Sequence, residues 1–337
     1  MSKYIKKRVI LAGLGSIGKF YLRSLKKNNF DHIVFDPNVK KKKYFFNSYK
    51  DLANEIKNNK YTHVIICSQA DTHFYNFNFF FKYGLRNFLI EKPMGNNLSD
   101  LYKIKKKALD YNIRILSNYK WSVVDLHRQI KSLQKKFKMG KLYNFISYAG
   151  ACCLATGGIH TFDFLNNFFS FKKNNFEILA KLKLDKINPR NKNLYNIGGF
   201  VNFAKDRVSA TIHYDNSSRI APYNIMLFKN YKIEFNLYGE YKIFSVKQEF
   251  WKEKITRYSY PLLVKKGKFY KINLIDKVIS TFIKSNIMTK DINKGIDCFE
   301  IILASMISNK TNSRLSLNAI SKLIKKNKLF NKNILIT

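Results

Sequence analysis

Residues 8–18, RVILAGLGSIG, set a short apolar run against three glycines, Gly13, Gly15 and Gly18, spaced G-x-G-x-x-G. The run reads as a strand. The segment 16–27 that follows reads as a helix with Ile17, Tyr21 and Leu25 on one face at i, i+4 and i+8. A strand, a glycine turn and a helix in that order make a cradle for a pyrophosphate. The first glycine permits the tight turn and the second lets the anion approach the backbone. The third lets helix pack closely on strand, and the helix start at Ser16 and Ile17 presents N–H groups.

Asp36 closes the next predicted strand, HIVFD (32–36), eighteen residues after Gly18. A carboxylate there suits the hydroxyls of an adenosine ribose and repels a 2′-phosphate, so NAD is expected rather than NADP. The lysines at 40–43 offset that repulsion in part.

Working outward, HVIICS (63–68), NFLIE (87–91) and NIRILSN (112–118) read as further strands, with helical segments at 48–58, 71–84 and 98–111 between them. This alternation implies an α/β Rossmann domain, a doubly wound parallel sheet, over residues 1–120. From about residue 120 the rhythm changes. A helix at 123–138 leads to LYNFISYAG and a short helix at about 159–169. Six β-like runs then follow, at 177–185, 198–204, 207–215, 224–230, 232–239 and 241–249, with short turns that favour antiparallel neighbours. Helices are expected again at 274–285, 296–309 and 317–327. The expectation for 121–337 is an α+β domain with a mostly antiparallel, open-faced sheet that binds substrate and supports oligomerisation.

Composition limits the function classes. The net charge of +40 comes from lysines spread along the whole chain, a compositional bias rather than a basic groove. Nucleic acid is therefore not expected as the principal ligand, although the charge would steer acidic substrates such as a uronate or a nucleotide-linked sugar. Cys67, Cys152, Cys153 and Cys298 include no C-x-x-C pair, which argues against a zinc site and fits a reducing compartment. No apolar run reaches the ~20 residues of a membrane span, and MSKYIKKRVI lacks a signal-peptide apolar region. A cytoplasmic protein without a membrane partner is the expectation.

Four stretches are shared in order with one family: GLGSIGK (13–19), CSQADTH (67–73), FLIEKPMG (88–95) and TGGIHTFDFL (156–165). IILASMISNKTNSRLSL (301–317) is a weaker fifth. On these the chain resembles the glucose-fructose oxidoreductase/inositol dehydrogenase (Gfo/Idh/MocA) family. The resemblance implies hydride transfer between a nicotinamide and a hydroxyl or carbonyl of a sugar, polyol or nucleotide-sugar, in a dimer or tetramer. The loose form of the TGGIH segment is similar to relatives in surface-polysaccharide pathways.

The resemblance also assigns residues. Lys92 lies at the end of the fourth predicted strand, where open α/β sheets present their ligand crevice. It would exchange the proton of the reacting hydroxyl, with Glu91 lining the dinucleotide site. His160 would bind that hydroxyl or share the proton, and Asp163, at i+3 on the same helix, would orient the imidazole or a substrate hydroxyl. Ser68, Gln69 and Ala70 stand where the family commonly has T-P-N beside the dinucleotide, His73 keeps the family's histidine position, and Asn118 and Lys120 fall near the nicotinamide and substrate. Thr156 stands where many relatives carry an acid; it can hydrogen-bond a sugar hydroxyl but cannot act as a base near neutral pH. That departure leaves Lys92 and His160 as the proton-handling pair, and keeps open the alternative of a non-catalytic dinucleotide-binding regulator of the same fold.

Overall fold

The computed structural model describes residues 7–150, 152–185, 196–215, 217–252, 259–284 and 291–334. They divide into two compact units. The first holds 7–123 with 272–284, 291–299 and 330–334, and the second holds the described residues of 124–271 with 300–329. Residues 1–6 and 285, which the expectations for the N-terminus and the third-last helix touch, lie outside the described residues.

The first unit runs β1 (Arg8–Ala12), α1 (Ser16–Lys27), β2 (Asp31–Phe35), β3 (Phe45–Phe46), α2 (Tyr49–Asn58), β4 (His63–Ile66), α3 (His73–Lys82), β5 (Asn87–Ile90), α4 (Leu98–Asp110), β6 (Arg114–Ser117) and the short α5 (Lys120–Val123). The six strands form one parallel sheet in the order β3-β2-β1-β4-β5-β6. This is the doubly wound sheet expected from the alternating pattern. Its central strands are buried on both faces, which is why RVILA, HVII and NFLI are near-continuous apolar runs without a polar alternation. The chain steps from one half of the sheet to the other beside β1 and β4, and both the glycine turn and the Cys67–Ser68 segment leave the sheet at that reversal.

In the second unit the predicted 123–138 helix is interrupted. Asp125 adopts a left-handed conformation (φ 50°), so the regular helix α6 begins at Leu126 and ends at Lys136. Then come β7 (Leu142–Gly150), α7 (Gly158–Phe169), β8 (Glu177–Asp185), β9 (Asn196–Lys205), β10 (Val208–Asp215), β11 (Tyr223–Phe228), β12 (Tyr231–Asn236), β13 (Glu240–Ser245) and β14 (Leu262–Lys268). With β15 (Leu315–Ser316) they form a sheet ordered β14-β13-β12-β11-β7-β10-β9-β8-β15, antiparallel except where β7 runs parallel to β10. The insertion of β7 between β10 and β11 separates two meanders that the sequence reads as one succession. One face is covered by α7, whose Phe162 and Phe164 meet Phe203, Phe145 and Phe235 of the sheet.

The chain then returns to the first unit with α8 (Leu274–Lys284) and the first part of α9 (Asp291–Thr311). Val278, Ile279, Phe282 and Ile283 of α8 are buried in the same apolar cluster as Val9, Leu11, Tyr21, Leu25 and Val34. The last helix, α10 (Ile320–Lys326), belongs to the second unit.

Candidate functional site

The glycine turn meets the demands of a dinucleotide cradle position by position. Gly13 has φ +104°, and a Cβ on it would lie 2.5 Å from the Ser68 backbone nitrogen. A Cβ on Gly18 would lie 2.2 Å from the Gly13 carbonyl oxygen, so this glycine is required by the packing of α1 on the turn. Gly15 is different: a Cβ there would meet nothing within 4 Å. Its bareness serves no contact within the protein and leaves room for something to approach the backbone.

The helix start is equally open. Ser48 and Asn97 cap α2 and α4 by accepting the N–H groups of Asp51 and Asp100, whereas α1 has no side-chain cap and no acid in its first turn. Its leading N–H groups point out of the turn with a partial positive charge behind them, the arrangement that holds a pyrophosphate. These residues fit the dinucleotide.

Asp36 sits just beyond β2. One of its oxygens accepts the Leu14 N–H at 2.6 Å and the other the Asn38 N–H at 2.9 Å. The neighbouring lysines are largely committed elsewhere. Lys41 pairs with Asp51 at 2.7 Å, and Lys42 and Lys43 lie over the rings of Phe45 and Tyr44. None of these three contacts engages Asp36, consistent with NAD.

The segment after β4 forms the next wall. Cys67 donates its thiol to the Gly13 carbonyl at 3.0 Å, and burial with the charges of Glu91 and Asp36 pushes that thiol's pKa up, so it stays protonated. Ser68 is gripped from three sides. Its hydroxyl accepts from Thr72 at 2.7 Å and from Asn76 at 3.0 Å, and its carbonyl meets His73 Nε2 at 2.9 Å. Burial lowers the His73 pKa, so the ring is neutral and Nε2–H is the donor.

At the end of β5, Glu91 is 3% exposed. Its Oε1 accepts from the phenol of Tyr21 and from Asn118 Nδ2 at 2.9 Å, and its Oε2 faces the backbone N–H of Lys92 at 3.1 Å. The strand continues through it, since its own N–H bonds to the Ile66 carbonyl. Lys92 follows, half-buried, and its bond to Pro93 is cis. Asn118 is anchored from behind by Ser117, whose N–H bonds to Asp291 and whose hydroxyl bonds to the Ile90 carbonyl. The carboxylate of Glu91 therefore faces inward onto protein donors, and Asn118 is spent partly on it. Lys120 extends over the ring of Trp121.

The remaining assignments fall in the second unit. Thr156 lies in the turn before α7, where the Cys153 carbonyl accepts the N–H groups of Thr156 and Gly157. His160 is half-buried in the first turn of α7. Asp163 is buried one turn on, and its carboxylate and carbonyl accept from Asn167. The expected i, i+3 spacing of His160 and Asp163 on one helix is thus observed. Thr161 adds a contact with Tyr214, at 3.1 Å between hydroxyls, across to β10.

Three residues that organise this region carried no sequence signal for it. Tyr21 reads as an apolar-face residue of α1, Asn76 as a neutral helix position, and Asp291 lies far along the chain.

Residues 7–119 match the model of the Gfo/Idh/MocA oxidoreductase family, NAD-binding Rossmann fold. The matched stretch falls within the first unit. No curated protein matches the chain. Among solved structures, an oxidoreductase from Agrobacterium radiobacter in complex with NAD+, L-tartaric acid and magnesium aligns with a TM-score of 0.71 at 11% identity, over 94% of this chain and 99% of that one. A NAD-binding protein from Listeria innocua aligns at 0.71 and 13%, over 92% and 97%. UDP-N-acetylglucosamine 3-dehydrogenase from Acidithiobacillus ferrooxidans aligns at 0.62 and 13%, over 89% and 97%. At these identities the likeness is one of fold, and it extends through both units of the chain. Among the described residues no helix is long and apolar enough to cross a membrane, and no group of three His, Cys, Asp or Glu side chains is placed to hold a metal ion.

Proposed function

We propose that the protein is an NAD-dependent dehydrogenase or reductase acting on a CH–OH group of a sugar, polyol or nucleotide-linked sugar. The observation that carries this reading is the joint presence, in one unit, of an uncapped glycine turn with open space at Gly15 and of a lysine presented at the C-terminal end of β5. The bound nicotinamide supplies the carbon that takes or gives the hydride. Lys92 takes the hydroxyl proton when the alcohol is oxidised, and returns a proton to the alkoxide oxygen in the reverse direction. His160 is the second proton-handling residue, and Thr156, Asp163, Asn118 and Lys120 contact the substrate hydroxyls. Ser16, Ile17, Asp36 and the 68–73 segment, with Gln69 and Ala70 at its bend, hold the dinucleotide.

Two neighbours in fold support a hydroxylated, acidic substrate. One was crystallised with tartaric acid, and the other acts on a nucleotide-linked sugar. A net charge of +40 favours the same class. The family likeness further supports a homo-oligomer, and the composition a cytoplasmic setting.

A panel of free sugars, polyols, hydroxy acids and nucleotide-linked sugars tests the proposal by NAD reduction. Turnover is expected with an acidic or nucleotide-linked member. NAD binding without reduction by any member of the panel would instead support a dinucleotide-dependent regulator.

A further inference from the structure

The phenol of Tyr21 reaches from the second turn of α1 to Glu91, the residue that precedes Lys92. Three elements converge on this one carboxylate: α1 through Tyr21, the end of β6 through Asn118, and the 91–92 backbone through the Lys92 N–H. Among the described residues no Lys or Arg forms an ion pair with Glu91. Burying a carboxylate on neutral donors costs more than filling the same space with apolar groups, so packing alone does not account for it. What the carboxylate does accomplish is geometric: it fixes the turn from which Lys92 projects.

We propose that Tyr21 is a positioning residue, holding Lys92 through Glu91 and tying the lysine's backbone to the helix whose N-terminus receives the pyrophosphate. The inference rests on the oxidoreductase reading above for its catalytic part, and on geometry alone for its structural part. Tyr21→Phe removes one hydroxyl and keeps the buried ring. A hydrogen bond to a charged acceptor is strong enough that losing it should loosen the turn by about tenfold.

Two measurements test this. In the protein without dinucleotide, hydrogen exchange at the Lys92 amide should accelerate about tenfold in Y21F, while amides of β1 and β4 keep their rates. In turnover, kcat should fall by a similar factor with the KM for NAD within about twofold. The double variant Y21F/E91Q should be no slower than E91Q, because Tyr21 acts through Glu91. Unchanged Lys92 exchange, or losses that multiply in the double variant, would overturn the proposal. Should Y21F not fold, exchange at Lys92 in E91Q alone decides: faster exchange upholds the clamp and an unchanged rate refutes it. Faster exchange in a protein that reduces NAD with no substrate would uphold the clamp and defeat the enzymatic reading, so the two failures are separable.

Discussion

The carboxylate of Asp36 accepts the backbone N–H of Leu14 at 2.6 Å, so the acid beyond β2 is fastened to the glycine turn that ends β1. A carboxylate has about four lone-pair positions, and two are used by Leu14 and Asn38. The others remain for ribose hydroxyls. Asp36→Asn should raise the Kd for NAD about tenfold or more and narrow the gap to NADP, because the negative charge that opposes a 2′-phosphate is gone. Fluorescence titration with each dinucleotide reads both changes.

Gly15 and Gly18 should separate binding from folding. Gly15 has φ −66° and open space around its missing Cβ, so Gly15→Ala should fold with an unchanged denaturation midpoint and lose dinucleotide affinity. Gly18→Ala places a carbon 2.2 Å from the Gly13 carbonyl. It should cost about 1–3 kcal/mol of stability or more, as overpacking does. Urea titrations of the two variants check this contrast.

Lys92→Met should lower kcat by about 10²–10⁴-fold, the range of a lost general acid–base group, with the Kd for NAD within about twofold. Turnover retained in this variant would remove Lys92 from the chemistry.

His63 gives a pH dependence of stability. Burial, with the charges of Lys7 and Arg114 beside it, pushes its pKa from 6.5 down to about 4. The unfolded chain binds a proton near pH 6.5 that the folded protein refuses until about pH 4. Stability is therefore fully present above about pH 6.5 and declines as pH falls to 4, by up to about 3 kcal/mol. His63→Asn should flatten that part of the profile relative to the unaltered protein, in urea unfolding measured at pH 7 and at pH 4.5.

The first unit was legible because each signal was local. RVILA, the three glycines and Asp36 fall within about one β-α-β repeat, and the chemistry of each residue type allows few other uses there. The antiparallel sheet was legible as a set of strands but not as an order, since nothing in LYNFISYAG says that it lies between strands from two different meanders. β14 and β15 were missed. LLVKKGK is exposed along most of its length and so lacks the apolar alternation of a half-buried strand, and Leu315–Ser316 is too short to show any period. The sequence places Glu91 along the dinucleotide site but does not show which protein groups its carboxylate meets. Its inward partners, Tyr21 and Asn118, are 70 and 27 residues away, and side-chain convergence over such separations leaves no trace in spacing. The apolar face of α8 is clear in sequence, but periodicity does not say which sheet a helix will cover.

The docking of α8 on the first unit constrains how the protein is made. Ser24 and Lys27 hold Asp276 of α8, and the Arg114 guanidinium donates to the Thr281 and Phe282 carbonyls at that helix's end. The unit that leaves the ribosome first therefore lacks part of its own core until residue 283 has been added. At about 5–20 residues per second, the interval after residue 123 lasts roughly 8–30 s. During it the whole 124–271 stretch emerges and can begin to fold, while Leu11, Tyr21 and Leu25 still await α8. The unit begun first is completed only after most of the other has been synthesised, and a chain arrested on the ribosome at about residue 150 should remain open to proteases along its N-terminal half.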